Sequence, residues 1–303
     1  SIPSTVGAAP VAALEVHLKE LAFGGDAVGH LPDGKVVFVP LGAPGDRVSL
    51  RLTRQKKSMA WGEIVEVLEP GPGRRPPPCP LFGRCGGCAW QHLSYAQQLA
   101  HKEAMLRGIL TRLGADLNQL APSPTELGYR RRARLHFGGA GVGFYRARSK
   151  DVEALESCPL LTDGLNGVLP GLTGQGTVVW VEGEDGQVSI SLKGGEPAAR
   201  VLLAPDVQGS AACFCQANAA QEARLRALVA DMIAGGPGAA LELYAGVGAL
   251  TVTLAPLCRR LTAVESWPAS VALFQENCPD VEALTMTAEQ ALGRGGKYDL
   301  VLL

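Results

Sequence analysis

The sequence predicts a multidomain chain of the α+β and α/β classes: a small N-terminal β-barrel, a β-rich central domain and a doubly wound α/β unit at the C-terminus. Three observations predict this order. Short apolar segments alternate with turn residues over residues 13–70, three cysteines stand close together at 79–88, and helices alternate with strands from about residue 217. The 303 residues are 47% hydrophobic, which is sufficient for two or three cores.

The barrel is predicted over residues 12–70. Its strand candidates are Leu14–Leu18, Val36–Val39, Val48–Leu52 and Ile64–Leu68. Clusters of Gly, Pro and Asp separate them, which indicates tight turns. Short strands at this spacing are typical of a closed barrel of about five strands.

The cysteine run predicts a metal site. Cys79, Cys85 and Cys88 lie in one short segment, two glycines separate the last pair, and Cys158 follows in a turn-like segment. Clustered cysteines in a chain without a secretion signal favour thiolate ligands over disulfide bonds. The residues alone leave open a cubane iron–sulfur cluster and a structural zinc ion.

A central domain is predicted over residues 71–208. A helix at about 94–113 begins with Ser94-Tyr95-Ala96-Gln97, which has the form of a capping box. The strands that follow are predicted at Arg134–Phe137, Val142–Tyr145, Val178–Val181 and Val188–Leu192.

Residues 209–303 are predicted to form the α/β unit. One helix carries an apolar stripe, made of Leu225, Leu228, Val229, Met232 and Ile233. The strand Ala239–Leu243 then leads into a turn with Gly246 and Gly248, and the next strand, Leu261–Glu265, ends in an acid. A ligand of such a unit binds at the carboxyl ends of the strands, where an acid can accept hydrogen bonds from a ribose. The GxG turn fits a single nucleoside such as S-adenosylmethionine better than NAD.

Charge divides the chain in two. Residues 1–150 carry 20 Lys and Arg against 11 Asp and Glu, a net charge of +9, whereas residues 151–303 carry 8 against 18, a net charge of −10. A basic half is expected to face a phosphate backbone, although a solvated basic face is the alternative. The sequence shows neither an apolar stretch of membrane-spanning length nor a secretory signal, so we expect a soluble, cytoplasmic protein.

Six motifs in order carry a family resemblance. They are the N-terminal barrel, the Cys79–Cys88 run, Gly128-Tyr129-Arg130-Arg131-Arg132-Ala133-Arg134-Leu135, Cys158-Pro159, Phe214-Cys215-Gln216-Ala217-Asn218 and Leu243-Tyr244-Ala245-Gly246-Val247-Gly248. Together they resemble the RNA 5-methyluridine methyltransferases, specifically the iron–sulfur branch that acts on 23S ribosomal RNA. The resemblance implies a TRAM barrel, a 4Fe–4S cluster on the four cysteines, and a Rossmann-like class I methyltransferase domain that is incomplete in this chain.

The resemblance also implies site residues. S-adenosylmethionine contacts are expected at Gln216, Tyr244, Glu265, Glu242, Gly246 and Gly248. RNA contacts are expected at Arg130, Arg131, Arg132, Arg134, Lys56 and Lys57. The chain departs from the family at Ala249 and Thr287, where relatives often carry asparagine.

The resemblance implies methylation of uridine C5 through a covalent adduct between a cysteine and C6, with a second residue acting as base. Both residues are expected after Leu303, so the chain as it stands is expected to lack activity. The target is expected to be looped or single-stranded RNA bound by a monomer. A transfer RNA substrate and a non-catalytic RNA-binding role are the alternatives.

Overall fold

The computed structural model of the chain describes residues 14–192, 198–233 and 235–303. Two compact units make up the chain, Ser1–Pro122 and Ser123–Leu303. The first two residues of the predicted barrel domain, 12 and 13, lie outside the described residues, and the division into three domains stays a prediction. Within the described ranges, no helix is both long and apolar enough to cross a membrane.

The first unit contains the predicted closed barrel. Its strands are β1 (Leu14–Leu21), β2 (Ala27–His30), β3 (Val36–Val39), β4 (Arg47–Gln55) and β5 (Met59–Glu69). They close in the order β1-β2-β3-β5-β4, with β3 and β5 parallel and the other neighbours antiparallel. Every second side chain points inward, so that Leu18, Val37 and Leu50 are fully buried.

The cysteine run is anchored on this barrel. The side chain of Arg74 donates hydrogen bonds to the fully buried carboxylate of Asp46, with Nη2–Oδ2 at 2.7 Å. Trp90 Nε1 donates to the Gly25 carbonyl at 3.1 Å, and Leu93 packs into the barrel core. The segment that precedes Cys79 is therefore held on the barrel through Arg74.

Helix α1 (Tyr95–Arg112) follows and confirms the predicted helix. Ser94 caps it, because its hydroxyl accepts the backbone N–H of Gln97 at 3.4 Å. None of its residues is fully buried.

The second unit begins with a five-stranded antiparallel sheet in the order β10-β9-β6-β7-β8. The strands are β6 (Arg132–Gly138), β7 (Gly141–Tyr145), β8 (Val152–Ala154), β9 (Thr177–Glu182) and β10 (Val188–Leu192). One face packs on the short helix α2 (Asp163–Val168), with Leu135, Leu165 and Trp180 fully buried. A hairpin of β11 (Arg200–Ala204) and β12 (Val207–Ser210) leads to the next layer.

A parallel sheet in the order β15-β14-β13-β16 completes the unit. The strands of this sheet and the helices beside them are, in chain order, α3 (Ala219–Met232), β13 (Ala239–Leu243), α4 (Thr251–Leu254), β14 (Arg260–Glu265), α5 (Pro268–Asn277), β15 (Glu282–Thr285), α6 (Ala288–Gly293) and β16 (Leu300–Leu302). Strand order reverses between β13 and β16, so a ligand crevice is expected at their carboxyl ends.

The predicted apolar stripe of α3 is only partly buried. Val229 and Ile233 pack against the core beside β13, whereas Leu228 and Met232 are 57% and 77% exposed. Helical periodicity identified the helix correctly but overestimated the width of its buried face.

Candidate cofactor and RNA site

A cavity of about 270 Å³ opens where the order of the parallel strands reverses. The end of β13 lines one side of it, and Leu302 and Leu303, at the end of β16, line another. Phe214 and Gln216 approach from the segment that leads into α3, and Glu222 approaches from the first turn of that helix. Of the residues predicted to contact a cofactor, Gln216, Glu242, Tyr244 and Gly246 line this cavity.

The turn after β13 has an unusual backbone. Tyr244, Gly246 and Gly248 all have positive φ, at 59°, 59° and 88°. A bulky residue rarely adopts the left-handed region, and such residues cluster at ligand sites. The ring of Tyr244 is nevertheless 65% exposed, so it contributes little to the core that could offset its strain.

Glu265, at the end of β14, is held by two backbone amides. Gly246 donates to Oε2 at 2.9 Å and Trp267 donates to Oε1 at 2.7 Å. Each oxygen keeps further acceptor capacity. The carboxylate therefore has a fixed orientation and can accept hydrogen bonds from a diol.

Glu242 is only 3% exposed and accepts the hydroxyl of Thr251 at 2.7 Å. Burial raises the pKa of Glu242 to about 7, although the Thr251 hydrogen bond acts in the opposite direction. Since the side chain is bonded to Thr251, Glu242 lies beneath the turn rather than at its surface.

Arg131 is bonded inside the second unit, with a side chain 4% exposed. Its Nη2 donates to Glu222 Oε2 at 2.6 Å and its Nε donates to the Gln216 carbonyl at 3.1 Å. Both acceptors belong to residues that line the cavity. A direct RNA contact is not supported at this position, since the guanidinium does not face solvent.

The neighbouring arginines are more accessible. Arg134 is exposed and Arg132 is half-buried, with its guanidinium 5.6 Å from the ring centre of Phe214. Burial lowers the pKa of Arg132, and its Nε is a buried donor that no described group accepts. The Arg130 guanidinium lies 5.7 Å from the ring centre of Phe144. Arg132 thus places a cation beside Phe214, a 65% exposed residue that lines the cavity.

In the first unit, Lys56 and Lys57 lie in the exposed connection between β4 and β5. The Lys56 ammonium lies 5.8 Å from the ring centre of Trp61, and Arg54 lies 5.0 Å from the same ring. Phe38 stacks on Trp61 at 5.8 Å. The combination of cations and aromatic rings suits RNA, and the rings were not singled out in the sequence because nothing local marks them.

The cysteine run has features of a thiolate site. The Gly87 N–H donates to Cys85 Sγ at 3.4 Å, and Gln91 Nε2 donates to Cys88 Sγ at 3.2 Å while its Oε1 accepts the N–H of Cys79. N–H donors to sulfur are typical of iron–sulfur ligands. Within the described residues, however, no three His, Cys, Asp or Glu side chains converge closely enough to hold a metal ion. Cysteine thiols with N–H donors to their sulfur atoms are suitable ligands for an iron–sulfur cluster. The described side chains are not, however, arranged as a formed metal site.

Three of the other four cysteines have the character of buried thiols. Cys213, Cys215 and Cys278 are at most 6% exposed. Burial raises the pKa of Cys215 to about 11 and that of Cys278 to about 12. The Cys215 and Cys278 side chains are therefore protonated at neutral pH and are poor nucleophiles.

Thr287 has a clear structural role. Its hydroxyl accepts the Gln290 N–H at 3.3 Å, and the Gln290 side chain accepts the Thr287 N–H at 2.9 Å, which forms a capping box at the start of α6. The side chain of Thr287 is therefore engaged in capping this helix.

Two families match parts of the sequence. Residues 10–65 match the TRAM domain, and residues 207–289 match the tRNA (Uracil-5-)-methyltransferase family. The first match includes most of the barrel, and the second includes the cavity-lining turn after β13.

Individual proteins extend the similarity. The chain is 32% identical to the 23S rRNA (uracil(1939)-C(5))-methyltransferase RlmD of Chromohalobacter salexigens, over 86% of this chain and 67% of that protein. The RlmD of Vibrio parahaemolyticus is 36% identical over 51% of this chain and 37% of its own length. The chain therefore spans about two thirds of the first relative, and the match to the second covers a smaller part of it.

A solved structure shows the same fold. The tRNA (uracil-54, C5)-methyltransferase of Pyrococcus abyssi, solved in complex with S-adenosyl-L-homocysteine, superimposes with a TM-score of 0.70 over 98% of this chain and 83% of its own. Sequence identity to it is 21%.

Proposed function

Because this chain belongs to the RNA uracil-C5 methyltransferase family, we propose that it binds S-adenosylmethionine in the cavity beside β13 and presents it to a uridine of 23S ribosomal RNA. The observation that carries the proposal is the cavity itself, which lies where strand order reverses and close to an oriented acid. Two relatives that match at 32% and 36% identity are named for methylation of uracil C5 in 23S rRNA.

The residues in and beside the cavity have distinct parts in the proposal. Glu265 would hold the ribose hydroxyls, since two backbone amides fix its carboxylate. Tyr244 and Gln216 would flank the nucleoside, and Arg131 keeps the Gln216 backbone in place. When bound, S-adenosylmethionine supplies an activated methyl group.

Phe214 and Arg132 would receive the target base. C5 and C6 of uracil can be reached only when the base leaves its stack, and a ring beside a guanidinium offers an unstacked base a replacement surface.

Methyl transfer is proposed to follow the covalent route. A cysteine thiolate adds to C6, C5 takes the methyl group, a base removes the C5 proton, and the C6–S bond breaks to release the thiolate. Cys215 and Cys278 are unsuited to the nucleophilic step, because burial raises the pKa of each thiol and keeps it protonated at neutral pH. The chain is proposed to be monomeric and cytoplasmic.

Binding of S-adenosyl-L-homocysteine tests the cofactor proposal. Calorimetry of the chain should show binding, and Glu265→Gln should weaken it about tenfold, because a charge-assisted hydrogen bond is removed. Glu276→Gln, at the far end of α5, is the matched control and should bind as the wild type does. No binding by the wild type, or equal losses in both variants, would contradict the proposal.

We further propose that Cys79, Cys85, Cys88 and Cys158 hold a 4Fe–4S cluster. The four-thiolate set and the N–H donors to Cys85 and Cys88 support it. Iron and sulfide measured after purification without oxygen should be retained in the Cys258→Ser control and lost in Cys85→Ser. Full iron content in Cys85→Ser, or zinc in the wild type, would overturn the assignment.

The RNA class is tested by competition. A labelled 23S segment around the uridine that the relatives' names specify should bind to the chain. Unlabelled 23S segment should displace it at lower concentration than a transfer RNA T-arm does. The reverse order would favour the transfer RNA alternative.

A further inference from the structure

One face of β6 carries cationic and aromatic side chains. Along the strand, Ala133 and Leu135 are buried against α2, so the residues that alternate with them, Arg132, Arg134 and His136, lie on the opposite face. Arg132 meets Phe214 at the cofactor cavity, and His136 is four residues further along, about 13 Å away. This row therefore leads away from the proposed methylation site.

The far end of the row is a stacked ring pair. The rings of His136 and Tyr145 lie 3.8 Å apart at an interplanar angle of 9°. His136 pairs with Gly143 on β7, and Tyr145 lies two residues further along the same strand, so its ring is on the same face of the sheet as the imidazole. His136 Nδ1 is 3.1 Å from Thr177 Oγ1, which fixes the ring. Burial, assisted by Arg134, lowers the pKa of His136, so the ring is neutral at neutral pH.

A cavity of about 470 Å³ adjoins this pair. Its lining includes both rings together with Arg146, Lys150 and Asp151. Arg146 donates to the largely buried carboxylate of Glu153 at 2.8 Å, which holds its guanidinium in place. The site thus combines an aromatic surface, 38% exposed at Tyr145, with two cations and one carboxylate.

We propose that this cavity is a second nucleotide site, in which a base flanking the target uridine stacks on Tyr145 and its phosphate lies against Lys150. The inference rests on the proposed function, because it assigns the site to the same RNA strand. An aromatic ring beside cations is the combination that binds single-stranded RNA, and the row from Arg132 to His136 connects the two sites. A flanking nucleotide held here would fix the register of the strand while the target base is unstacked.

Fluorescence anisotropy with synthetic single-stranded segments of the 23S site, shortened stepwise from either end, tests the inference. Tyr145→Ala should weaken binding of the longest RNA by about 5- to 150-fold, because one base loses its stacking partner. Tyr145→Phe keeps the ring and should stay within about twofold of the wild type. Met232→Ala, a large exposed side chain on α3, is the surface control and should bind normally.

The dependence of affinity on RNA length distinguishes binding at this cavity from binding of RNA elsewhere on the protein. Removal of the flanking nucleotides should weaken wild-type binding to the level of Tyr145→Ala, and the variant should then be insensitive to the same shortening. Two results would overturn this inference but leave the proposed function intact. One is equal affinity of the wild type and Tyr145→Ala for the longest RNA. The other is that Tyr145→Ala weakens binding of the shortest RNA as much as it weakens binding of the longest.

Cofactor binding separates failure of the inference from failure of the proposed function. Tyr145→Ala should bind S-adenosyl-L-homocysteine as the wild type does, which also shows that it folds. Absence of both cofactor and RNA binding in the wild type would overturn the proposed function and this inference with it.

Discussion

The two glycines of the turn after β13 should respond very differently to the same substitution. A Cβ at Gly248 would meet Cys278 Sγ at 2.8 Å and Phe274 Cδ2 at 3.1 Å, whereas a Cβ at Gly246 would meet no atom within 4 Å. Both residues have positive φ, so both alanine variants carry backbone strain. Only Gly248→Ala adds a clash with the buried face of α5.

The magnitudes follow from these distances. Left-handed backbone costs an L-residue about 1–2 kcal/mol, which is the whole expected loss for Gly246→Ala. Overpacking a close-packed core adds about 1–3 kcal/mol, so Gly248→Ala should lose about 2–5 kcal/mol. Urea unfolding followed by far-UV circular dichroism measures both free energies of unfolding.

A third variant isolates the clash. Cys278→Ala removes the sulfur that the new methyl group would meet, so Gly248→Ala should cost less in that background than in the wild type. Equal losses for Gly246→Ala and Gly248→Ala, or strict additivity with Cys278→Ala, would refute the steric argument.

Three further outcomes are expected. Arg131→Met should lower the free energy of unfolding by about 3–5 kcal/mol, because it leaves the Glu222 carboxylate buried without its partner, and calorimetry should also show weaker cofactor binding. Glu242 has a folded-state pKa of about 7, so its contribution to stability is fully present below its ordinary pKa of 4.5 and is removed as the pH rises to 7. The free energy of unfolding should therefore fall by about 3 kcal/mol over this range. Glu242→Gln should remove most of this pH dependence. Replacing Lys56 and Lys57 by glutamine should weaken RNA binding and reduce the slope of log affinity against log salt by about 0.7 for each RNA phosphate that these lysines neutralise, as anisotropy at several salt concentrations would show.

The sequence predicted those strands whose own residues and flanking turns mark them. Strands Val36–Val39 and Val188–Leu192 begin and end where the sequence predicted, because β-branched residues alternate or cluster there between turn residues. The four-residue strand Ala27–His30 was missed, since its Gly and His weaken the apolar pattern. The closed barrel was still predicted, because the number of turns and the segment lengths permit few other folds.

Long-range pairing was not predictable from the same patterns. Arg131 lies in a run that indicates a basic surface, yet its partner Glu222 is 91 residues away and both are buried. No local pattern indicates that the ring of Tyr145 lies on that of His136, because this stacking depends on the register of β6 against β7. Contacts that depend on register require the sheet to be known first.

The left-handed backbone of Tyr244 implies a trade-off between thermal stability and activity. The fold alone would favour glycine or asparagine at φ 59°, and the ring is too exposed to offset the strain by packing. Selection for stability would therefore remove this tyrosine, and selection for ligand binding would retain it. Engineers who seek a more heat-resistant enzyme should expect replacement of Tyr244 by glycine or asparagine to raise the melting temperature at the expense of the cofactor site.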